Sequence, residues 1–536
     1  MKKITYIISR YNTYFVFLFL LALSAFFSAL YYFNGENILY ADTMSRLDIA
    51  RKIVDNLTPG FAQIGNVWLP LPQLLMVPFI WNNFLWHSGL AGAIMSGTAF
   101  IIGGLYIYKS VKLLTNSILS SLLSLCVYAL NLNILYLQST AMSETLFTCT
   151  LAASIYYLLV WIKTNNIMYL IPAGLAVSAM TYTRYEGWSV LFGAIPMIFV
   201  VAWMRNKKLL KSESSTILFT FLAITGFLAW TLYLALIFGD PLYWAHYYVT
   251  PAAAGNGGKA VAHVYSQQKP FLAAVWQYFT SCVWMIGLIP MILAIFGTLI
   301  MIVQSIWKRS LYIFPLLLPL AIFLFMTLTL QRNTPIVQPN LTIGSILSPT
   351  TSDQIGFNVR YGILLLPWVA IIISYIFTTT RIRFLFYILF CAVFAIQLGS
   401  YFHPHYSVLY QIPEKIYPKA DADLVNFMRT HYNGGEILIS AAGHEDQMFE
   451  MGFNYRTYIH EGAGKYWKES IDDPPHYATW IIFDLGQNED AVAKYMYDPH
   501  RKAALQRDFN LVFTSNKGLL RVYKIKTKPY FSVPTT

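Results

Sequence analysis

Asp42 stands just past the first long apolar stretch, in NILYADTMSRLD, where the chain turns polar. A carboxylate there is either an ordinary helix-end acid or a general base, with its pKa set by burial and nearby cations. Glu144, in STAMSETLF, opens another apolar stretch. The helix dipole alone favours an acid at that place; the functional reading has it line the same pocket as Asp42. TRYEGW carries Arg184 and Glu186 between two apolar stretches, where both charges must be solvated or paired. Helical i,i+2 neighbours do not face each other, so Arg184 is also a candidate for holding a phosphate. In NVRYGILLLPW, Arg360 and Tyr361 open a further apolar stretch. An arginine there is either an interfacial anchor or a planar fork for phosphate oxygens. Arg46 completes the candidate substrate-binding set of Arg184, Glu186, Arg360 and Tyr361.

The elements that must position these residues are membrane spans. The chain has 536 residues, 57% of them hydrophobic and only 12% charged, with 17% aromatic. An ordinary soluble protein is excluded. Several stretches reach the roughly 20 apolar residues that cross a bilayer. We expect a polytopic α-helical membrane protein of about 11 spans. They fall near 14–33, 89–108, 117–135, 142–162, 167–183, 187–204, 215–238, 280–304, 311–330, 361–379 and 382–400. One set of termini and loops carries Lys2, Lys3, Arg10, Lys109, Lys112, Lys163, Arg205, Lys207, Lys208, Lys211, Lys308, Arg309, Arg381 and Arg383, with Glu213 its only acid. The positive-inside rule makes that set cytoplasmic, with an N-terminus inside and a C-terminus outside. The net charge of +12 thus follows loop topology rather than a nucleic-acid patch. The long loops 34–88, 239–279 and 331–360 all fall outside, as expected of a pocket facing that way. Cys126, Cys149, Cys282 and Cys391 lie in apolar spans without CxxC spacing.

Within the first outer loop, SRLDIARKIVDNL has an amphipathic stripe, with Ser45 placed to cap it and Asp48 three residues on. WLPLPQLLMVPFIWNNFLW is apolar but broken by Pro70, Pro72 and Pro78, and reads as an interfacial segment. Asp42 and Asp48 do not form a DxD pair, so no metal or other cofactor is implied by spacing. Residues 1–400 form the membrane unit. From 401 to 536 the composition turns soluble: EILISAAG, ATWIIFDLG and FNLVFTSNKGLLRVYKI read as strands among helices, a small α/β domain. In GHEDQMFEMGFNYRTYIHEGAGKYWKES, His444, Glu445, His460, Glu461, Lys465 and Trp467 read as a solvated loop or an acceptor rim. His403 and His405 are a weak metal signal, and Asn56 and Asn340 head glycosylation sequons.

The ordered set of Asp42 after the first span, GNVWLPLPQLL, Glu144, TRYEGW, RYGILLLP and an outer soluble tail resembles the GT-C superfamily. These are polyprenyl-phosphate-sugar-dependent glycosyltransferases, among them protein O-mannosyltransferases and the bacterial aminoarabinose transferase of lipid A. The resemblance covers about residues 1–400. It implies a plasma-membrane enzyme, bacterial or archaeal, that passes a sugar with inversion from a polyprenyl-phosphate donor to a lipid, glycan or protein acceptor. Asp42 would be the base, Glu144 would assist in the acceptor pocket, and Arg360 with Arg184 would neutralise the departing phosphate. The WWDYG-type motif of the oligosaccharyltransferase branch is missing from the tail. A transporter or flippase of lipid-linked sugars is the alternative, but charges at the outer rim and the lack of repeats favour an enzyme. An O-antigen ligase or polymerase would rest on a larger late loop.

Overall fold

The computed structural model describes residues 2–245, 270–332, 358–379 and 422–527, apart from 488–489, 497 and 516–517, with isolated positions between 380 and 421. Among the described residues, six helices are long and apolar enough to cross a membrane. A seventh arises if Leu209–Ala223 and Thr225–Phe238, bent by 41°, count as one span. The stretches expected at 117–135, 167–183 and 361–379 correspond to shorter apolar helices, and the one at 280–304 is met by Leu288–Lys308. The stretch expected at 280–304 divides at Gly287 into helices Phe271–Ile286 and Leu288–Lys308. Gly287 takes φ 107°, a region glycine enters without a Cβ clash. Asn131 and Asn133 each donate a side-chain N–H to the Met285 carbonyl (3.0 and 3.1 Å), satisfying an acceptor at that helix end. The stretch expected at 117–135 likewise divides into Ile118–Ala129 and Leu132–Leu137. Most of the span expected at 382–400 lies outside the described residues, as do His403, His405, Asn340 and the centres of the loops 239–279 and 331–360.

The first long helix, α1 (Lys2–Phe33), leads to α2 (Ala41–Val54) in the first loop. The helix therefore begins a turn before Ser45, which lies inside it. Asp42 takes the first-turn position, where the helix dipole favours a carboxylate. Pro70 and Pro72 flank the start of α3 (Leu71–Ile80), and Pro78 lies within it. Asp48 does not join Asp42; it accepts from Trp86 Nε1 at 3.2 Å.

Residues 422–527 build a five-stranded sheet from β1 (Ile437–Ile439), β2 (Tyr458–Ile459), β3 (Trp480–Asp484), β4 (Phe509–Thr514) and β5 (Leu520–Ile525). The order is β2-β1-β3-β5-β4. β1 pairs in parallel with β2 and β3, while β5 runs antiparallel to β3 and β4. Helical connections allow the parallel pairs; a tight turn at Gly518 (φ 69°) joins the β4–β5 hairpin. Strand alternation divides the apolar side chains between two cores. Leu438, Ile481, Phe483 and Tyr523 pack with Val492, Met496 and Leu505 on one face. Ile437, Ile439, Trp480, Ile482 and Val522 enter a second core that also holds Met44, Leu47 and Ala50 of α2, Met76 of α3, and Trp86. The sheet and the first loop are thus packed as one body.

Candidate functional site

Three acids meet two arginines where the elements converge. Each acid occupies the first turn of a helix: Asp42 of α2, Glu144 of Glu144–Thr164, and Glu186 of Glu186–Asn206. Arg360 comes from the short 3₁₀ segment Val359–Leu365, and Arg184 from the turn before Glu186. Gly362 lets that segment press on helix Phe271–Ile286. A Cβ at Gly362 would stand 2.3 Å from the Ser281 carbonyl oxygen.

The charges form an unbroken chain. Arg360 donates from Nη2 to Asp42 Oδ2, and from Nε to Glu144 Oε1 at 2.8 Å. Arg184 donates to the same Glu144 oxygen at 3.0 Å and to Ser143 Oγ at 3.1 Å. It also grips Glu186 with two bonds, Nη2 to Oε1 at 2.7 Å and Nε to Oε2 at 3.2 Å. The i,i+2 objection fails because Arg184 precedes the helix rather than lying on it. The Tyr361 ring lies beneath both guanidinium groups, 4.2 Å from that of Arg184 and 5.2 Å from that of Arg360; Tyr40 faces Arg360 at 4.4 Å. Arg46 packs over Trp68 at 4.7 Å, and its buried Nε and Nη1 have no hydrogen-bond partner.

Exposure separates the members. The Asp42 side chain is 26% exposed, against 2% for Arg360 and 0% for Glu144. Asp42 is therefore the most exposed of the three acids. The structure brings Asp42, Glu144, Arg184, Glu186, Arg360 and Tyr361 into direct contact, while Arg46 packs on Trp68. It differs in how they are engaged: Arg360 and Arg184 spend their forks on carboxylates rather than facing an open space. Arg360 lies between Asp42 and Glu144, and Glu144 Oε2 is buried with no hydrogen-bond partner. Among the described residues no group of three or more His, Cys, Asp or Glu side chains gathers to hold a metal. Tyr40, Trp68 and Ser143 were not singled out, although each stands within a quoted motif or beside a candidate residue.

The proposed acceptor rim is distributed differently from a solvated loop. Glu445 pairs with Lys52 of α2 at 3.0 Å. His444 is buried against Asp490 at 3.0 Å, and Glu461 accepts from Ser440 Oγ and from the Ala441 N–H. His460 is buried, and its Nδ1 accepts from the Gly462 N–H at 3.0 Å.

Residues 82–257 match the family described as dolichyl-phosphate-mannose-protein mannosyltransferase. A search of curated proteins gives no match. Among solved structures, the archaeal oligosaccharyltransferase AglB from Archaeoglobus fulgidus, in complex with an inhibitory peptide and a dolichol-phosphate, aligns with a TM-score of 0.52. That alignment has 10% identity and covers 97% of this chain and 75% of the other. ArnT from Cupriavidus metallidurans, bound to undecaprenyl phosphate, aligns with a TM-score of 0.48 at 9% identity, over 94% of this chain and 97% of the other. At 10% identity the likeness to the oligosaccharyltransferase is one of fold.

Proposed function

We propose that this chain is a GT-C-type transferase that passes a sugar from a polyprenyl-phosphate carrier to a hydroxyl or amine acceptor, with Asp42 as the base. The observation that carries the reading is the exposure of Asp42 at the end of an otherwise buried chain of charges. In the step envisaged, the acceptor oxygen or nitrogen bonds to the anomeric carbon while its proton passes to Asp42. The bond from that carbon to the phosphate oxygen breaks, and polyprenyl phosphate leaves with its electron pair. Attack opposite the leaving group inverts the centre. Arg360 holds Asp42 in orientation; Glu144 holds Arg360 in turn, and Arg184 holds Glu144. Arg46, with Nε and Nη1 uncommitted, takes the carrier phosphate, and charge stabilisation there lowers the barrier to departure. The site would face outward from the cell, with residues 422–527 on the same side.

The test is release of polyprenyl phosphate from a panel of polyprenyl-phosphate monosaccharides by protein in nanodiscs, followed by mass spectrometry with host-membrane extract as acceptor. Asp42→Asn should lower turnover by about 10²–10⁴-fold, the usual worth of a general base. Undiminished turnover in that variant removes Asp42 from the chemistry. No release from any donor by the wild type moves the weight to transport of the lipid-linked sugar.

A further inference from the structure

One end of α2 carries Asp42; the other is fastened to the C-terminal sheet region. Arg51 donates to Asp55 Oδ2 at 2.9 Å, to the Ile80 carbonyl at 2.8 Å and to Asn454 Oδ1 at 3.2 Å. Asp55, the C-cap of α2, accepts from the Tyr455 N–H at 3.0 Å and from Arg456 Nε at 2.9 Å. Lys52 pairs with Glu445 at 3.0 Å and lies over the Tyr455 ring at 5.1 Å. Further along the loop, Thr58 Oγ1 and Gln63 Nε2 both donate to the Gly462 carbonyl, at 3.1 and 2.7 Å. Glu445 and Gly462 follow β1 and β2 in the chain, while Asn454, Tyr455 and Arg456 lead into β2.

We propose that the C-terminal region positions Asp42 by holding α2, with the Lys52–Glu445 pair as the latch and Glu445 as a positioning residue. The inference rests on the transferase reading above. α2 is a single rod, and Lys52 stands about 15 Å along it from Asp42 at the helical rise. The N-cap, Tyr40, makes no side-chain capping bond, so the first turn has no local fastening of that kind. The lean of α2, set at its far end and along its buried Met44–Leu47–Ala50 face, decides how Asp42 meets Arg360. Misplacement of a reacting group by about 1 Å can cost on the order of 10²-fold in rate.

Glu445 is partly exposed, so Glu445→Gln removes the charge without opening a cavity. Full-length wild type, Glu445→Gln, Lys52→Gln and Glu445→Asp are compared in nanodiscs for kcat, donor KM, unfolding temperature and amide exchange over residues 41–54. Glu445→Gln and Lys52→Gln should each lower kcat about tenfold through misplacement of the base, and KM should stay within about twofold. Exchange over α2 should quicken at an unchanged unfolding temperature, and Glu445→Asp should regain most of the loss. Wild-type kcat in both neutral variants overturns the proposal. So does a kcat loss that Glu445→Asp does not relieve. Wild-type protein that releases no polyprenyl phosphate defeats the transferase reading instead; α2 exchange then decides the latch alone, and exchange unchanged in Glu445→Gln overturns it.

Discussion

Arg360 acts as a bridge, and its chemistry follows from its shape. Its planar fork reaches Asp42 from one nitrogen and Glu144 from another, which a single ammonium does less well. Arg360→Lys keeps the charge and loses the bridge. It should lower kcat roughly a hundredfold with donor KM little changed, because it loosens the base rather than the donor. Arg46 calls for a different pattern, with donor KM changed as well as kcat. Arg46→Gln should raise donor KM about tenfold or more if its uncommitted nitrogens meet the carrier phosphate, as loss of a charge-assisted hydrogen bond would give. Equal kcat and KM behaviour in the two variants would show that the two arginines share one task. Both are checked by steady-state kinetics with a defined donor.

Among the elements, the 3₁₀ segment 359–365 depends on one missing side chain. Gly362→Ala would set a methyl 2.3 Å from the Ser281 carbonyl oxygen, so segment or helix must shift. Overpacking of this kind costs about 1–3 kcal/mol; thermal unfolding should show a lowered midpoint, and turnover should fall with it because Arg360 moves. The sequence made the candidate residues visible for a plain reason: charges are scarce in an apolar chain, so those at the ends of apolar stretches stand out. It did not reveal their pairing. Arg360 meets Asp42 and Glu144 across separations of 318 and 216 residues, and nothing in a local motif says which acid a given arginine will choose. The strands from Ile437, Trp480, Phe509 and Leu520 were legible from β-branched and aromatic runs punctuated by Gly518. Helix boundaries were less so: a capping pattern at Ser45 drew attention away from Ala41, and an apolar run through Gly287 concealed a break.

At the scale of the whole molecule, the joint between loop and sheet is charged, and its charges set its pH range. Burial pulls the Asp55 carboxyl up, but the Arg456 hydrogen bond and the Arg51 charge outweigh it and hold it below its ordinary value. Its contribution is present above the ordinary carboxylate range and is lost as pH falls through the depressed folded value. Burial, with the Lys52 charge behind it, holds His460 well below the ordinary 6.5. Its contribution too is present above that value and declines in acid. Asp48, raised by burial, works in the opposite sense. The clean measurement is therefore a difference: wild type should lose more stability between pH 7 and pH 5 than His460→Asn, read by denaturant unfolding at each pH. Equal losses would mean that His460 is not held neutral. The joint also has a place in time. Asp55 is made 400 residues before the Tyr455 N–H that it accepts. At about 5–20 residues per second, the ribosome takes roughly 20–80 s to cover that distance. For that interval the new first loop has its charged and apolar faces without their partner, so a cell making this protein must shield the loop until the last fifth of the chain arrives.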